Sequence, residues 1–418
     1  MFRFDDSDRA IRVPVVGKTA SRPVAVAIPA KNEADRLPEC LRALAAQRDP
    51  CGRPLDPDSF CVVLFANNCS DDSASLARAL GEQLGLPLTV IEAWMPPSDA
   101  HAGHARRAAM DHAASWLARA SARNGVILTT DADSRVPPLW IESNLKAIDA
   151  GADVVLGRVD LDEEGALLPE TLHRRGRMEG DYEALLAELS ARLDPIDSNP
   201  WPHHATISGA SLAVTREAYL RAGGMPRVPL GEDKAFVAES LRCDARIRFS
   251  PDIVVTTSGR LRGRAPGGVA DTLRLRCADL EAHCDESLEP FRIAMKRAKL
   301  RARIRRLYGL GGLRRGMDWA NPLGISASDA RRASRATTFG AAWSLIEAGS
   351  TLLVRRPLTP LELPDQIAGA RRALKRMRND SLSMPEHIEP EFGISIRVQE
   401  NSDVVHRANK ELGSLVAR

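Results

Sequence analysis

The 418-residue chain predicts an α/β protein, a mostly parallel, doubly wound sheet with a helical insertion and a helical C-terminal extension. Three observations carry this reading. Short uncharged runs alternate with amphipathic stretches of about 10 to 15 residues, the pattern of strands joined by crossover helices. Each run ends abruptly in a polar or acidic loop. Beyond Gly268 the strand signals stop, and helical, strongly basic segments take over.

The elements follow in order. Residues 1 to 22 are a polar N-terminal arm, and Pro23 to Pro29 is a buried first strand that runs into Ala30-Lys31-Asn32-Glu33. Leu37, Leu41 and Leu44 mark a helix face, with Pro38 tolerable only in the first turn. After a Pro-rich loop (Asp49 to Ser59), Phe60 to Ala66 is a second strand ending in Asn67-Asn68-Cys69-Ser70-Asp71-Asp72. The last three of these are good helix caps, and Leu76, Leu80 and Leu84 mark the helix that follows. Leu88 to Glu92 is a third strand. A helix from Ala105 to Ala120 then turns Ala109, His112, Trp116 and Ala120 inward.

Val126 to Thr129 is the fourth strand and runs straight into Asp131-Ala132-Asp133. Pro137 and Pro138 open a helix with Ile141, Leu145 and Ile148 on one face. Asp153 to Val159 is a fifth strand. Asp160 to Pro200 is a helical insertion in which Met178, Tyr182, Leu185, Leu189 and Leu193 keep helical spacing. Trp201 to His204 is an aromatic loop, and Thr206 to Val214 reads as a strand. A short helix ends at Gly223-Gly224, Gly231-Glu232-Asp233 opens the helix Lys234 to Leu241, and Arg246 to Thr257 holds a last strand. That strand ends in Ser258-Gly259-Arg260-Leu261-Arg262-Gly263-Arg264. The sequence thus divides into the arm, a sheet domain over 23–268 with its insertion at 160–200, a basic helical region over 269–384, and a polar, partly disordered tail over 385–418.

Composition narrows the class. An apolar share of 44% is ordinary for a globular protein, and a net charge of +3 gives no global nucleic-acid signal. The seven cysteines are scattered without a C-x-x-C, so neither a disulfide framework nor a zinc site is indicated. Residues 1 to 23 lack an apolar core and do not read as a signal peptide. No run approaches the ~20 apolar residues of a membrane span. The expectation is a cytoplasmic protein able to touch the inner membrane face.

The strand-end loops carry the chemistry. In a doubly wound sheet the carboxyl ends of the strands share one edge, where ligands bind. Asp131 and Asp133, at i and i+2, can reach one hard cation, and Mg²⁺ or Mn²⁺ prefers oxygen ligands and bridges phosphates. A D-x-D alone also fits a solvated turn or a helix cap. Here it is one of four strand-end loops, with Ala30 to Glu33, Asn67 to Asp72 and Ser258 to Arg264, and Gly231-Glu232-Asp233 opens a helix beside them. Backbone amides, carboxylates, a metal candidate and arginines together suit a nucleoside diphosphate.

The order of these pieces resembles a family-2 glycosyltransferase of the GT-A fold, over about Val24 to Arg264. The matching stretches are Ala27 to Glu33, Asn67 to Asp72, Gly103 with its basic helix start, Asp131 to Asp133, Ser208 to Val214, and Glu232-Asp233. The resemblance implies a metal-dependent transfer of a sugar from a nucleotide-sugar donor to an acceptor hydroxyl. It implies Mg²⁺ or Mn²⁺ on Asp131 and Asp133, and a nucleotide pocket lined by Pro29, Ala30, Asn32 and Glu33. It makes Asp233, with Glu232 as the lesser candidate, the general base, which gives inversion at the anomeric carbon. A helix-start carboxylate favoured by the dipole is the plainer role for Asp233.

Departures from the family pattern matter. The second-strand loop usually begins with an aspartate that reads the base; here it is Asn67, and an amide both donates and accepts. A lysine often seen after Gly103 is His104. Ser258, Arg260, Arg262 and Arg264 resemble a serine/arginine loop that closes over the diphosphate, with Gly259 and Gly263 permitting movement. Trp201, His203 and His204 fall on the acceptor side, where Trp201 could stack on a sugar. The acceptor itself (saccharide, lipid-linked or small molecule) is open, as are the donor's sugar and base and the oligomeric state.

Between Arg292 and Gly316 stand ten basic residues and no acidic one. They fit peripheral contact with an anionic membrane, or a solvated face paired with Asp160, Asp162, Glu163 and Glu164. Nothing interleaves aromatics as nucleic-acid binding would. Two other functions fit less of the sequence. A sugar nucleotidyltransferase would want a glycine-rich loop after the first strand, and a non-catalytic binding protein would work through the basic helices alone.

Overall fold

The computed structural model describes residues 22–119, 124–264 and 267–380. The expected arm, apart from Arg22, and the expected tail from 385 lie outside these residues. Strands β1 (Val24–Ala30), β2 (Phe60–Asn67), β3 (Leu88–Ala93), β4 (Val126–Thr129), β5 (Ser134–Arg135), β6 (Val154–Leu161), β7 (Leu212–Thr215) and β8 (Ile247–Thr257) form one sheet, in the order β3-β2-β1-β4-β7-β6-β8-β5. β1 pairs in parallel with β2 and β4, β2 with β3, and β6 with β8. β7 is antiparallel to both β4 and β6, and β5 is antiparallel to β8. The mixed sheet is therefore mostly parallel. The ends of β1, β2, β4, β6 and β8 and the start of β7 all face one edge.

Helices cover both faces, because β1, β2, β4 and β7 are buried almost throughout and need cover above and below. On one face α1 (Leu37–Ala45), α2 (Ser73–Leu84) and α4 (Trp140–Asp149) pack against Val26, Ile28, Leu64 and Leu128. On the other, α3 (Ala102–Arg119), α7 (Arg216–Arg221) and α8 (Glu232–Arg242) pack against Ala25, Ala27, Val63 and Ile127. Pro38 lies in the first turn of α1, as its ring requires.

Two local expectations fail. The strand expected over Thr206 to Val214 is irregular as far as Ser211, and β7 starts at Leu212. In α3 the buried stripe is Ala105, Arg106, Ala109, Met110, Ala113, Ala114, Trp116 and Leu117, while His112 is exposed and Ala120 lies outside the described residues. Ala109 and Trp116 face inward as expected, but the buried stripe is centred further round the helix, so His112 falls outside it and Arg106 inside.

The insertion consists of α5 (Glu163–Ala166) and α6 (Glu170–Leu193), and α6 belongs by contact to the C-terminal helices. Its Met178, Tyr182, Leu185 and Leu189 share a core with Leu363, Ile367, Ala370 and Leu374 of α14 (Leu363–Asp380). A second core joins α10 (Phe291–Gly309), α12 (Ala327–Ser334) and α13 (Phe339–Gly349) through Leu300, Ile304, Ala330, Trp343 and Ile346. The short helices α9 (Val269–Ala278) and α11 (Gly312–Arg315) complete the region.

The basic run is split by helix geometry. Arg297 turns inward to Glu289 (2.8 Å) and Glu347. Arg301 and Arg305 both reach Asp194, just past the end of α6, the latter at 2.9 Å. Arg292, Lys296, Lys299, Arg303 and Arg306 lie on the other side of α10, exposed or half-buried. The basic run does pair with the insertion, but at Asp194 near its end and not at the four acids near its start. Asp162 and Glu164 bind Arg36, Glu163 binds Arg135, and Asp160 stands beside Arg158. Those acids flank the sheet edge, whereas α10 packs on the far end of α6.

The side chain of Asp194 is 2% exposed and balances two arginines. Asp194→Asn should therefore lower stability by about 2 kcal/mol, less than a fully buried pair would cost because both arginines are partly exposed. A denaturant melt showing an unchanged midpoint would refute this role.

Candidate active site

The sheet edge gathers three groups of acids. Asp131 and Asp133 leave β4 on a short turn, with Ala132 buried between them. Glu33 lies between β1 and α1, buried. Its backbone carbonyl accepts from Arg36 and Leu37, starting α1, and its N–H donates to Ser73 Oγ at 2.7 Å. Glu232 and Asp233 form the first turn of α8. Like charges this close cost free energy unless cations intervene, and arginines from remote segments do so.

Arg260 donates to both oxygens of Glu33 (2.9 and 2.6 Å) and stands 3.0 Å from Asp133 Oδ2. Arg264 reaches Glu33 (2.9 Å) and Asp35 (3.1 Å). Ser258 is buried, and its hydroxyl accepts from the Arg260 N–H. The loop carrying them is pinned by Asp162, whose Oδ1 accepts from Gly259 N–H at 2.9 Å. A Cβ on Gly259 would fall 2.3 Å from the backbone of Gly165. This glycine therefore serves close packing of the loop on α5.

Arg106, which sequence reasoning did not single out, lies on the second face of the cluster. It is 4% exposed and binds Glu232 Oε1 (2.9 Å), Thr129 Oγ1 (3.0 Å), the Gly209 carbonyl (3.0 Å) and Asp131 Oδ1 (2.5 Å). The signal that could have found it is a charge on the buried stripe of α3, since such a charge must be partnered. Glu232 is thereby engaged in a buried ion pair. Asp233 accepts from Gly209 N–H at 3.0 Å and from Lys234 N–H at 2.7 Å.

The electrostatics differ among the carboxyls. Burial, then the neighbouring Asp131 and Glu33 carboxylates, hold Asp133 well above the usual carboxylate range, and Arg260 offsets only part of this. Burial and then Glu232 raise Asp233 as well, against the opposing hydrogen bonds and Arg106. Thr257 donates to Asp133 Oδ1 (3.4 Å) and accepts from Ser134 Oγ (2.9 Å). Among the described residues no three His, Cys, Asp or Glu side chains converge as a metal cage. The pair Asp131 and Asp133 fits instead a hard cation that keeps most of its coordination for phosphate oxygens and water. Such a cation would relieve both causes that raise Asp133, its burial and the neighbouring negative charge.

The remaining expected residues are placed as follows. Pro29 and Ala30 close β1 at the edge. Asn32 (φ 54°) ties its loop to the next, accepting from Ser70 N–H at 2.7 Å, with its N–H on Cys69 Sγ. Asn67 is 1% exposed, and its amide oxygen has no partner among the described residues, as is also true of the Thr130 hydroxyl. His104 is half-buried, and burial and then Arg227 lower its pKa, which favours the neutral ring. Trp201 is 44% exposed, with its ring edge against His203. His203 is turned to the His204 carbonyl at 2.9 Å.

His204 braces the backbone. Its Nε2–H is shared by the carbonyls of Leu156 (3.1 Å) and Ser250 (3.2 Å), and its Nδ1 accepts from Thr206 N–H (3.1 Å). This pattern requires the neutral ring. The acceptor contact expected of His204 meets a ring whose two nitrogens are already engaged.

Comparison with known proteins bears on this geometry. Residues 25–221 match the family model described as glycosyl transferase family 2. Over 172 residues the chain is 28% identical to the undecaprenyl-phosphate 4-deoxy-4-formamido-L-arabinose transferase of Klebsiella pneumoniae, covering 39% of this chain and 47% of that protein. The chain thus spans about half the length of this curated relative. Similar solved structures include S. aureus TarS 1–349 with UDP-GlcNAc, at 14% identity and TM-score 0.42, covering 90% of this chain and 97% of that one. Another is the Pyrobaculum calidifontis mannosyltransferase with GDP-Man and Mn²⁺, at 19% identity and TM-score 0.42, covering 78% and 86%.

Burial lowers the His204 pKa to about 4, against 6.5 for the free group. The unfolded chain therefore takes up this proton first. The stabilisation is full above about pH 6.5 and is lost as pH falls to about 4, a span on the order of 3 kcal/mol. In His204→Gln the fall of Tm from pH 7 to pH 4.5 should be shallower than in the parent. Identical slopes would show that His204 does not titrate in this way.

Proposed function

We infer that this chain, whose residues 25–221 belong to glycosyl transferase family 2, is a glycosyltransferase that moves a sugar from a nucleotide-sugar to an acceptor hydroxyl with inversion. The observation that carries this reading is the joining of Asp131 and Asp233 through Arg106 and Gly209 in one hydrogen-bonded path at the carboxyl edge of the sheet, with Asp133 two residues beyond Asp131. Asp131 and Asp133 would hold Mg²⁺ or Mn²⁺, and the bound ion supplies neutralisation of charge on the leaving nucleoside diphosphate.

The residues of the chain divide the remaining work. Pro29, Ala30, Asn32, Glu33 and Asn67 line the nucleotide side. The unpaired, buried amide oxygen of Asn67 offers an acceptor to a base N–H. Arg260 and Arg264 now neutralise Glu33, and a diphosphate offers them a bidentate alternative. Ser258 holds their loop. Trp201 and His203 face the acceptor, the former as an exposed ring that suits an apolar sugar face.

Asp233 takes the acceptor proton. Its raised pKa makes it a stronger base than an exposed aspartate. This favours a hydroxyl acceptor, since a phosphate acceptor arrives ionised and needs no base. Glu232, bound by Arg106, is not available for that task. As the acceptor oxygen attacks from the base side, the bond to the nucleoside diphosphate breaks on the opposite side, and the anomeric configuration inverts.

With Mn²⁺ the protein should hydrolyse or transfer from one of the UDP, GDP, CDP or dTDP sugars. Asp233→Asn should lower turnover by ~10² or more while keeping donor affinity. Full turnover in that variant would place the base elsewhere.

We also propose peripheral contact with an anionic membrane. No helix among the described residues is long and apolar enough to cross one. Arg292, Lys299 and Arg306 fall at i, i+7 and i+14 on α10, and Leu310, 54% exposed, sits between them and Arg314-Arg315. Cations flanking an exposed apolar side chain suit a lipid surface, with each near-surface cation contributing ~1 kcal/mol. Vesicles containing phosphatidylserine should sediment the protein at low salt and release it at high salt. No binding to such vesicles would leave this face simply solvated.

A further inference from the structure

We propose that Arg106 is a positioning residue that sets the donor-side carboxylate Asp131 and the base Asp233 in register, so that one buried guanidinium assembles both halves of the site. The proposal rests on the functional reading above and deepens it. Arg106 has five N–H donors in a planar fork, and four of them are placed. Nε meets Glu232, Nη1 meets both Thr129 and the Gly209 carbonyl, and Nη2 meets Asp131. These partners come from four segments: the end of β4, the turn beyond it, the stretch before β7, and the first turn of α8.

Gly209 makes the link to the base. Its carbonyl accepts from Arg106 while its N–H donates to Asp233 Oδ2. A continuous path therefore runs from Asp131 through Arg106 and Gly209 to Asp233, and a second arm holds α8 directly through Glu232. On the donor side Arg106 takes Asp131 Oδ1, which fixes the plane of the carboxylate and leaves Oδ2 to meet a cation. Arg106 itself touches neither donor nor acceptor in this scheme.

The surroundings are shaped for the fork. A Cβ on Gly103 would lie 2.1 Å from the Val228 carbonyl oxygen and 3.1 Å from Glu232 Cβ. Only glycine lets the start of α3 come this close to the chain entering α8, and Arg106 follows one turn later. A Cβ on Gly209 would lie 2.5 Å from Arg106 Cζ. Close backbone approach on both sides leaves space for a flat guanidinium. A lysine keeps the charge but cannot span four partners.

The test measures binding of UDP, GDP, CDP and dTDP by calorimetry with and without Mn²⁺, alongside Tm, in the wild type, Arg106→Gln, Arg106→Lys and Glu232→Gln. The gain in nucleotide affinity on adding Mn²⁺ should fall by about 10- to 100-fold in Arg106→Gln, the usual scale for loss of a group that orients a metal ligand. Arg106→Lys should recover part of that gain yet stay slow in turnover, because the Gly209 arm to Asp233 is lost. Glu232→Gln is the decisive variant if Arg106→Gln does not fold. Glu232 lies on the base side, so a reduced Mn²⁺ gain there reports coupling through Arg106, which a purely structural role would not produce. An unchanged Mn²⁺ gain in a folded Arg106→Gln or in Glu232→Gln overturns the proposal. A wild type with no Mn²⁺ gain for any of the four nucleotides overturns the functional reading and this proposal with it.

Discussion

The structure depends on holding acids together at the edge of a buried sheet. Parallel strands bring their carboxyl ends to one line, so residues distant in sequence arrive side by side. Glu33, Asp131, Asp133, Glu232 and Asp233 would repel one another there. Arg106, Arg260 and Arg264 offset that repulsion, and each comes from a different part of the chain than the acids it binds. Burial, and then the neighbouring Asp131 and Glu33, keep Asp133 raised despite Arg260. The acids are thus kept close but short of positive charge, a state that the proposed cation would relieve.

Two kinds of arginine serve the cluster. Arg106 is buried on a helix of the sheet domain, with its partners fixed on all sides, and so acts as scaffold. Arg260 and Arg264 stand on a loop, are more exposed, and hold Glu33 by contacts a phosphate could replace. The distinction follows from packing. Exchange of partners is feasible where water and ligand have access, and costly where the guanidinium is enclosed.

What the sequence made legible follows the same physics. Buried parallel strands are written as uncharged runs, so β1, β2, β4 and the loops after them could be read directly. Asp131 and Asp133 stood out because a strand of four apolar or hydroxyl residues stops at them. Arg106 was hidden because the buried stripe of α3 is centred further round the helix than expected, and alanine there is too abundant to mark one face over another. Residues 206–211 looked like strand from composition. Their irregular path accompanies Gly209, which serves Arg106 with its carbonyl and Asp233 with its N–H, contacts that composition does not encode. The partners of the basic run were illegible for another reason. Charge patterns show that a helix carries cations, but packing decides that Asp194 and not the acids at 160–164 receives them.

The C-terminal helices also bear on the site, through α8. At its far end Asp244 caps α13, accepting from Phe339 and Gly340 N–H at 2.9 and 2.7 Å, and Thr338 donates to the Arg242 carbonyl. A Cβ on Gly340 would lie 1.7 Å from the Leu241 carbonyl oxygen, so the two helices abut without a gap. Near its start, Lys234 reaches Asp285 at 3.1 Å. The helix that carries Asp233 is therefore held at one end by Arg106 and at the other by α13. A carboxylate on a rigid helix is placed more accurately than one on a loop. The helical region thus completes the frame that fixes Asp233 within the acid cluster, whatever else its basic face meets.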